Sequence, residues 1–495
     1  MTITDLETAS RPTGLRRVAI DPVSRVEGHG KVTLLLDDED RVHQVRLHIV
    51  EFRGFEKFIQ GRPYWEVPVM VQRLCGICPV SHHIAAAKAM DMIVGAEQLT
   101  PTAEKVRRLM HYGQILQSHA LHFFHLAAPD LLFGFDSDVA RRNIVGVAAA
   151  HPEAARQGVL LRRYGQEVIC HTAGKRIHGT GAIPGGVNKA LTPAERDALL
   201  ADAYQVIAWS REAVALAKRL HLSNTDLYNS FGAFRSNMLS LVAADGEMDL
   251  YHGQLRARDA AGGLILDQVD TRRYWEVIFE DVKPWSYMKF PFLRALGPET
   301  GWYKVGPLAR VQNCDQIPTP LADAERREFV DFAGGQPLHA TLGYHWARMI
   351  EMLFAAEQIK QLLNDDDIVG TDLTASGERL GRGVGVIEAP RGTLIHHYRV
   401  DENDMVVRAN LIVSTTHNNQ AMNAAIREVA RRYLDGRTLT EGLLNHIEVA
   451  IRAFDPCLSC ATHALGKMPL AVELVDADGE TIDRLVREDP DTGRC

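Results

Sequence analysis

Arg73-Leu74-Cys75-Gly76-Ile77-Cys78 near one end of the chain, and Asp455-Pro456-Cys457-Leu458-Ser459-Cys460-Ala461-Thr462-His463 near the other, decide how the rest is read. Two residues between cysteines let both sulfurs chelate one ion. Asp455-Pro456 reads as a helix start, with Asp as the cap and Pro at the first helical position. On that reading Cys457, Cys460 and His463 recur every third residue and point roughly to one side. Thiolates near the positive end of a helix ionise and ligate metal readily. Spacing alone favours structural zinc, whose commonest signature is paired CxxC; a redox or catalytic metal is the other reading. Separation argues against a staple. Structural pairs close a small loop that lacks a core of its own, whereas here nearly the whole chain lies between them. Sulfurs from both ends converging inside a large core suit a buried reactive metal. Nucleophilic cysteine and thioredoxin-type chemistry are weaker readings, since neither needs a distant second pair.

Outward from the cysteines, the 495 residues are 46% hydrophobic and 24% charged, which excludes disorder, collagen and coiled coil. No apolar run is long enough for a membrane-spanning helix, and the first twenty residues lack the apolar stretch of a secretory signal. A net charge of −8 disfavours a nucleic-acid partner. Seven cysteines, an odd number, without an export signal point to the reducing cytoplasm. Cys170, Cys314 and Cys495 have no pairing pattern and read as inert thiols.

The hydrophobic periodicity predicts an α-rich α+β fold, a large helical core with small sheets at its edges. Strands are expected at Lys31–Leu36, Val42–Val50, Gly383–Glu388, Leu394–Val400 and Val406–Val413. Helices are expected at Ser81–Gln98, Pro101–Ala128, Pro193–Leu220, His339–Asn364, Gln420–Leu434 and Thr440–Ala453. Residues 225–320 read as irregular. Residues 469–484 alternate like a hairpin around Asp476-Ala477-Asp478-Gly479.

The two cysteine stretches resemble the RxCGxC and DPCxxCxxH signatures of nickel–iron hydrogenase large subunits. The resemblance extends to Arg25-Val26-Glu27-Gly28-His29, Arg53-Gly54-Phe55-Glu56, Gly174-Lys175 through Pro184-Gly185-Gly186-Val187, and Glu388-Ala389-Pro390-Arg391-Gly392. These blocks stand in the family's order from residue 20 to 470. The resemblance implies reversible cleavage of dihydrogen into protons and electrons. Cys75 and Cys457 would be terminal nickel ligands, and Cys78 and Cys460 would bridge to an iron carrying carbon monoxide and cyanide. Cys457 would accept a proton and Glu27 would pass it outward, although a carboxylate beside Arg25 is by itself most often a surface ion pair. Arg391 would stand over the metals, surrounded by Pro390, Asp130 and Asp455. His82 would hydrogen-bond a bridging thiolate. Glu56, His463 and the Leu411 carbonyl would hold magnesium.

Where the family usually continues V-P-T-T-W-N, this chain reads Val413-Ser414-Thr415-Thr416-His417-Asn418, which resembles the cytoplasmic bidirectional branch exchanging electrons with NAD. Thirty-two residues follow His463. Residues 1–463 are expected as one catalytic domain, and 464–495 as an extension that a maturation protease removes. Held outside, that extension would keep the last cysteines from closing over the metal. No C-x2-C-x2-C run for an iron–sulfur cluster and no dinucleotide fingerprint occur; Gly381-Arg382-Gly383-Val384-Gly385 is not GxGxxG. Electrons must therefore leave through partners. The resemblance implies a small subunit with iron–sulfur clusters, and diaphorase subunits carrying FMN and NAD. NADP, a deazaflavin or ferredoxin are the alternative acceptors. A complex-I-like quinone-module subunit is disfavoured by the four cysteines, and the zinc-stapled structural protein remains the plain alternative.

Overall fold

The computed structural model describes residues 15–283, 285–462, 470–475 and 481–487. Strands β1 (Arg16–Ile20), β2 (Gly30–Leu36) and β3 (Val42–Ile49) form an antiparallel meander in that order. Val45, Leu47 and Ile49 of β3 alternate into the interior, as the sequence pattern requires of a half-buried strand. Helix α1 (Pro79–Ile93) begins directly after the first cysteine pair. It ends short of the expected Gln98, because the chain turns through Gly95 at φ +70°.

Helix α2 (Pro101–Leu121) is capped by the Thr100 hydroxyl, which accepts the Ala103 N–H. It packs against α3 (Pro152–Ala173), an element absent from the sequence expectations. Helix α4 (Pro193–Ser223) starts in a capping box formed by Thr192 and Glu195. The region 225–320 is not irregular. Strands β4 (Asn237–Val242), β5 (Gln254–Arg258), β6 (Leu264–Val269) and β7 (Tyr303–Lys304) form a sheet in the order β7-β4-β5-β6. Every residue of β4 is buried, so its sequence lacks the two-residue alternation that marks a strand.

Helix α5 (Gly343–Leu363) runs through the centre, packed on α2 and α4, with nearly every side chain buried. Its polar side chains, Arg348 and Glu351 among them, are buried with the apolar ones, so the amphipathic face expected of it is not exposed to solvent. The antiparallel strands β8 (Arg382–Ala389), β9 (Gly392–Val400) and β10 (Val406–Ile412) then cover α1. Here Gly383 and Gly385 have a packing reason. A β-carbon on them would stand 1.8 Å and 2.0 Å from the Ala89 and Ala85 carbonyl oxygens of α1. The Gly-Val-Gly stretch is therefore a helix–strand contact. Helices α6 (Asn419–Val429) and α7 (Glu441–Ala453) follow, and α7 delivers the second cysteine pair.

Strands β11 (Leu470–Val475) and β12 (Thr481–Arg487) pair antiparallel, as the alternating tail predicts. The turn between them lies outside the described residues. Among the described residues no helix is long and apolar enough to cross a membrane.

Candidate metal centre

Cys75 is extended at the end of the short turn Val71–Leu74, and Cys78 immediately precedes α1. The Cys75 sulfur accepts the Ile77 and Cys78 backbone N–H groups at 3.2 and 3.3 Å. That knuckle aims both sulfurs inward. The expected helix at the second pair does not form. Asp455 adopts φ +54° and spends its carboxylate on Arg391 instead of capping a helix. The Cys457 N–H donates to the Thr415 hydroxyl at 2.9 Å and the Leu458 N–H to the Glu27 carbonyl at 2.9 Å. An irregular turn bridged to Glu27 thus replaces helix.

The two ends meet. Sγ of Cys75 lies 3.2 Å from that of Cys457, Cys78 lies 3.8 Å from Cys460, and Cys457 lies 2.6 Å from Cys460. All four sulfurs fall within 4.8 Å of one another, and all four residues are buried.

Around the sulfurs, Glu27 accepts from the Cys457 thiol at 3.0 Å and the Ser459 N–H at 3.2 Å, and the Ser459 hydroxyl also donates to it. Gly28, at φ +81°, lets this loop press onto the cysteine turn; a β-carbon there would stand 2.6 Å from the Ser459 nitrogen. Arg391 donates through Nε to the Asp455 carbonyl at 2.5 Å and through Nη2 to its carboxylate at 3.1 Å. Its Nη1 is buried without a partner. Asp130 is engaged elsewhere: it accepts from Arg25 at 2.6 Å, Asn445 at 3.1 Å, and Arg452. The guanidinium of Arg25 therefore pairs with Asp130, which leaves Glu27 to the thiol. His82 and Cys78 line the same small cavity; the His82 Nδ1 atom meets His396 Nε2 at 3.1 Å, and the His82 side chain also hydrogen-bonds the Cys78 sulfur.

Burial pushes the Cys457 and Cys460 thiols well up, since a lone thiolate is costly in a dry interior. Hydrogen bonds from Cys457, Cys460 and Cys75 hold the Cys78 thiol well down. Burial would lower the pKa of Arg391, but Asp455 and the cysteines outweigh it and hold the guanidinium charged. Four mutually crowded soft donors beside a fixed positive charge fit a soft, thiolate-bound metal. Next to them, a cavity of about 10 Å³ is lined by Ala389, Pro390, Leu394, Val413 and Arg391, apolar but for the guanidinium. The residues present fit a bimetallic thiolate centre.

Glu56 reaches the expected strand and accepts the Leu411 N–H at 2.8 Å. Burial lifts its carboxyl to about 7. The Thr462 carbonyl accepts from Arg53 at 3.0 Å, which brings the second cysteine segment alongside Glu56. His463 lies outside the described residues.

A family profile described as nickel-dependent hydrogenase matches residues 53–140 and 258–463, and one described as HoxL-like matches 17–52. The chain belongs to the nickel-dependent hydrogenases. The NAD-reducing hydrogenase HoxS subunit beta of Cupriavidus necator is 47% identical, over 95% of this hydrogenase and 100% of that protein. The vhc F420-non-reducing hydrogenase of Methanococcus voltae has a chain that is 41% identical, over 92% and 96%. The solved structure of an NAD+-reducing nickel–iron hydrogenase in the H2-reduced state is 62% identical and superposes with a TM-score of 0.89, over 90% of this chain and 99% of that one.

Sequence reading missed several residues that hold the hydrogenase site. Thr415 and Ser459 fix the cysteine turn and Glu27; both stand inside quoted motifs, and their hydroxyls were the available signal. Arg310 was not legible at all. It donates to Glu351 of α5 at 2.6 Å, to Glu388 at 2.7 Å and to the Ala389 carbonyl at 2.9 Å, anchoring the turn that carries Arg391.

Proposed function

We propose that the four cysteines of this hydrogenase hold a nickel–iron pair, Cys75 and Cys457 as terminal and Cys78 and Cys460 as bridging ligands. We further propose that electrons from dihydrogen pass through partner subunits to NAD. The observation that carries the reading is the convergence of four buried sulfurs within 4.8 Å from the two ends of the chain. When bound, such a centre supplies a soft acceptor for the hydride half of dihydrogen. The protein supplies the rest. Cys457 would take the proton once its sulfur is bound to metal, and Glu27, 3.0 Å from that sulfur, would carry it outward. The buried Nη1 of Arg391 would offer a donor to a cyanide on the iron, and Pro390, Leu394 and Val413 would form the apolar wall beside carbon monoxide. His82 walls the Cys78 side. Glu56, with Leu411 and His463, would hold magnesium; oxygen donors suit that hard ion.

The NAD linkage is supported by the Cupriavidus relative and the NAD+-reducing structure. The chain has no cluster motif, so a small subunit with iron–sulfur clusters and a flavin-bearing diaphorase are the partners, in the cytoplasm where NAD is available. A maturation protease would cut after His463. Purified with its partners, the enzyme should contain about one nickel and one iron per chain, show infrared bands of iron-bound carbon monoxide and cyanide, and reduce NAD+ under hydrogen. Zinc alone in the protein would end this reading; hydrogen-dependent reduction of another acceptor but not NAD+ would correct only the linkage.

A further inference from the structure

Away from the cysteines, a cavity of about 1110 Å³ lies between the β8–β10 sheet and residues 274–294. Ligand sites commonly fall near this size. Arg382, Arg399 and Arg408 stand directly opposite one another on three adjacent strands. Like charges in register on a sheet repel, and their Cβ atoms lie about 5 Å apart. Arg294 adds a fourth guanidinium to the cavity wall. Among the described residues none of these four arginines has a carboxylate within ion-pair reach. The one acid lining the cavity, Glu280, accepts from Lys289 through Oε2 at 2.9 Å, and its Oε1 is the one buried side-chain acceptor left without a partner there.

The cavity lining holds a further donor. Asn410 donates to the Tyr274 hydroxyl at 2.8 Å, which leaves the hydroxyl proton for His397 Nδ1 at 3.2 Å. Burial first, then Arg382, Arg408 and Arg399, lower the pKa of His397 to about 4, so its ring is neutral. Its single proton therefore sits on Nε2, which is buried without a partner. A wall of donors with almost no free acceptor calls for an oxyanion.

We propose that this cavity binds a ligand carrying linked phosphate groups. Guanidinium forks match phosphate oxygens in bidentate fashion. Three forks in line at the strand spacing of about 4.8 Å exceed the reach of one carboxylate, and a chain of phosphates spans them. Inorganic polyphosphate and the phosphate tail of a nucleotide share this chemistry.

Calorimetry on the full-length chain, in metal-free buffer, tests it with inorganic tripolyphosphate and ATP as probes. Tripolyphosphate should bind, weaken steeply with added salt, and lose at least tenfold in affinity in the Arg399→Gln/Arg408→Gln double variant. Arg211→Gln, an exposed arginine on α4, should bind as the unaltered chain does. Without ligand the double variant should melt at the same temperature or higher, since it relieves cross-strand repulsion; folding is thus checked apart from binding. ATP binding at least as tightly as tripolyphosphate makes the natural ligand a nucleotide. Tripolyphosphate binding more tightly makes it the free polyphosphate. The proposal is overturned by absence of tripolyphosphate binding, by equal affinity in the double variant, or by a polyglutamate peptide binding more tightly than tripolyphosphate.

Discussion

Glu27 receives three donors from one turn: the Cys457 thiol, the Ser459 N–H and the Ser459 hydroxyl. A carboxylate so placed can exchange a proton with sulfur without moving its backbone, which is what a relay needs. Glu27→Gln preserves the shape and removes the base. It should leave the metal content intact and slow hydrogen–deuterium exchange by roughly 10²–10⁴-fold, the span of a lost general base. Normal exchange in that variant would remove Glu27 from the path. Ser459→Ala should act more mildly, about fivefold on exchange, because one net hydrogen bond contributes about 1 kcal/mol. Cys78→Ser should abolish loading of the metals, read by elemental analysis, since a hydroxyl is a harder and weaker ligand.

Elements were legible where local pattern and tertiary demand agree. The cysteine spacing, β3 and α2 are of this kind. Helix α3 escaped because its buried stripe runs Gly158, Leu161, Gly165, Val168, and two glycines thin the apolar signal. The segment at Asp455 misled in the opposite sense. Its Asp-Pro start is real local chemistry, yet Arg391, sixty-four residues away in sequence, takes the carboxylate. Arg310 was invisible because its worth lies only in partners from α5 and β8. Those partners give a pH prediction. Burial alone would raise the Glu351 carboxyl, but Arg310 and His119 outweigh it and hold it at about 2, against 4.5 when free. A depressed carboxyl stabilises the fold above its unfolded value, and that contribution disappears as pH falls towards the folded one. It amounts to about 3 kcal/mol. Denaturant melts should therefore lose stability between about pH 4.5 and 2 in the unaltered chain, and show a flatter profile in Glu351→Gln.

For the whole molecule, the governing fact is that segments 382 residues apart in sequence meet at one point. Closing so long a loop costs on the order of 5 kcal/mol in chain entropy, and the helical core rather than the cysteines must supply it. The core is built from α2, α4 and α5, none of which carries one of the four cysteines. For the thirty-two residues after His463, the proposed cleavage by a maturation protease would follow nickel insertion. Mass spectrometry of the nickel-loaded enzyme should then show loss of roughly thirty residues, whereas metal-free chain keeps them. Full-length chain that holds nickel and oxidises hydrogen would show that the extension is an ordinary terminal hairpin with no part in maturation.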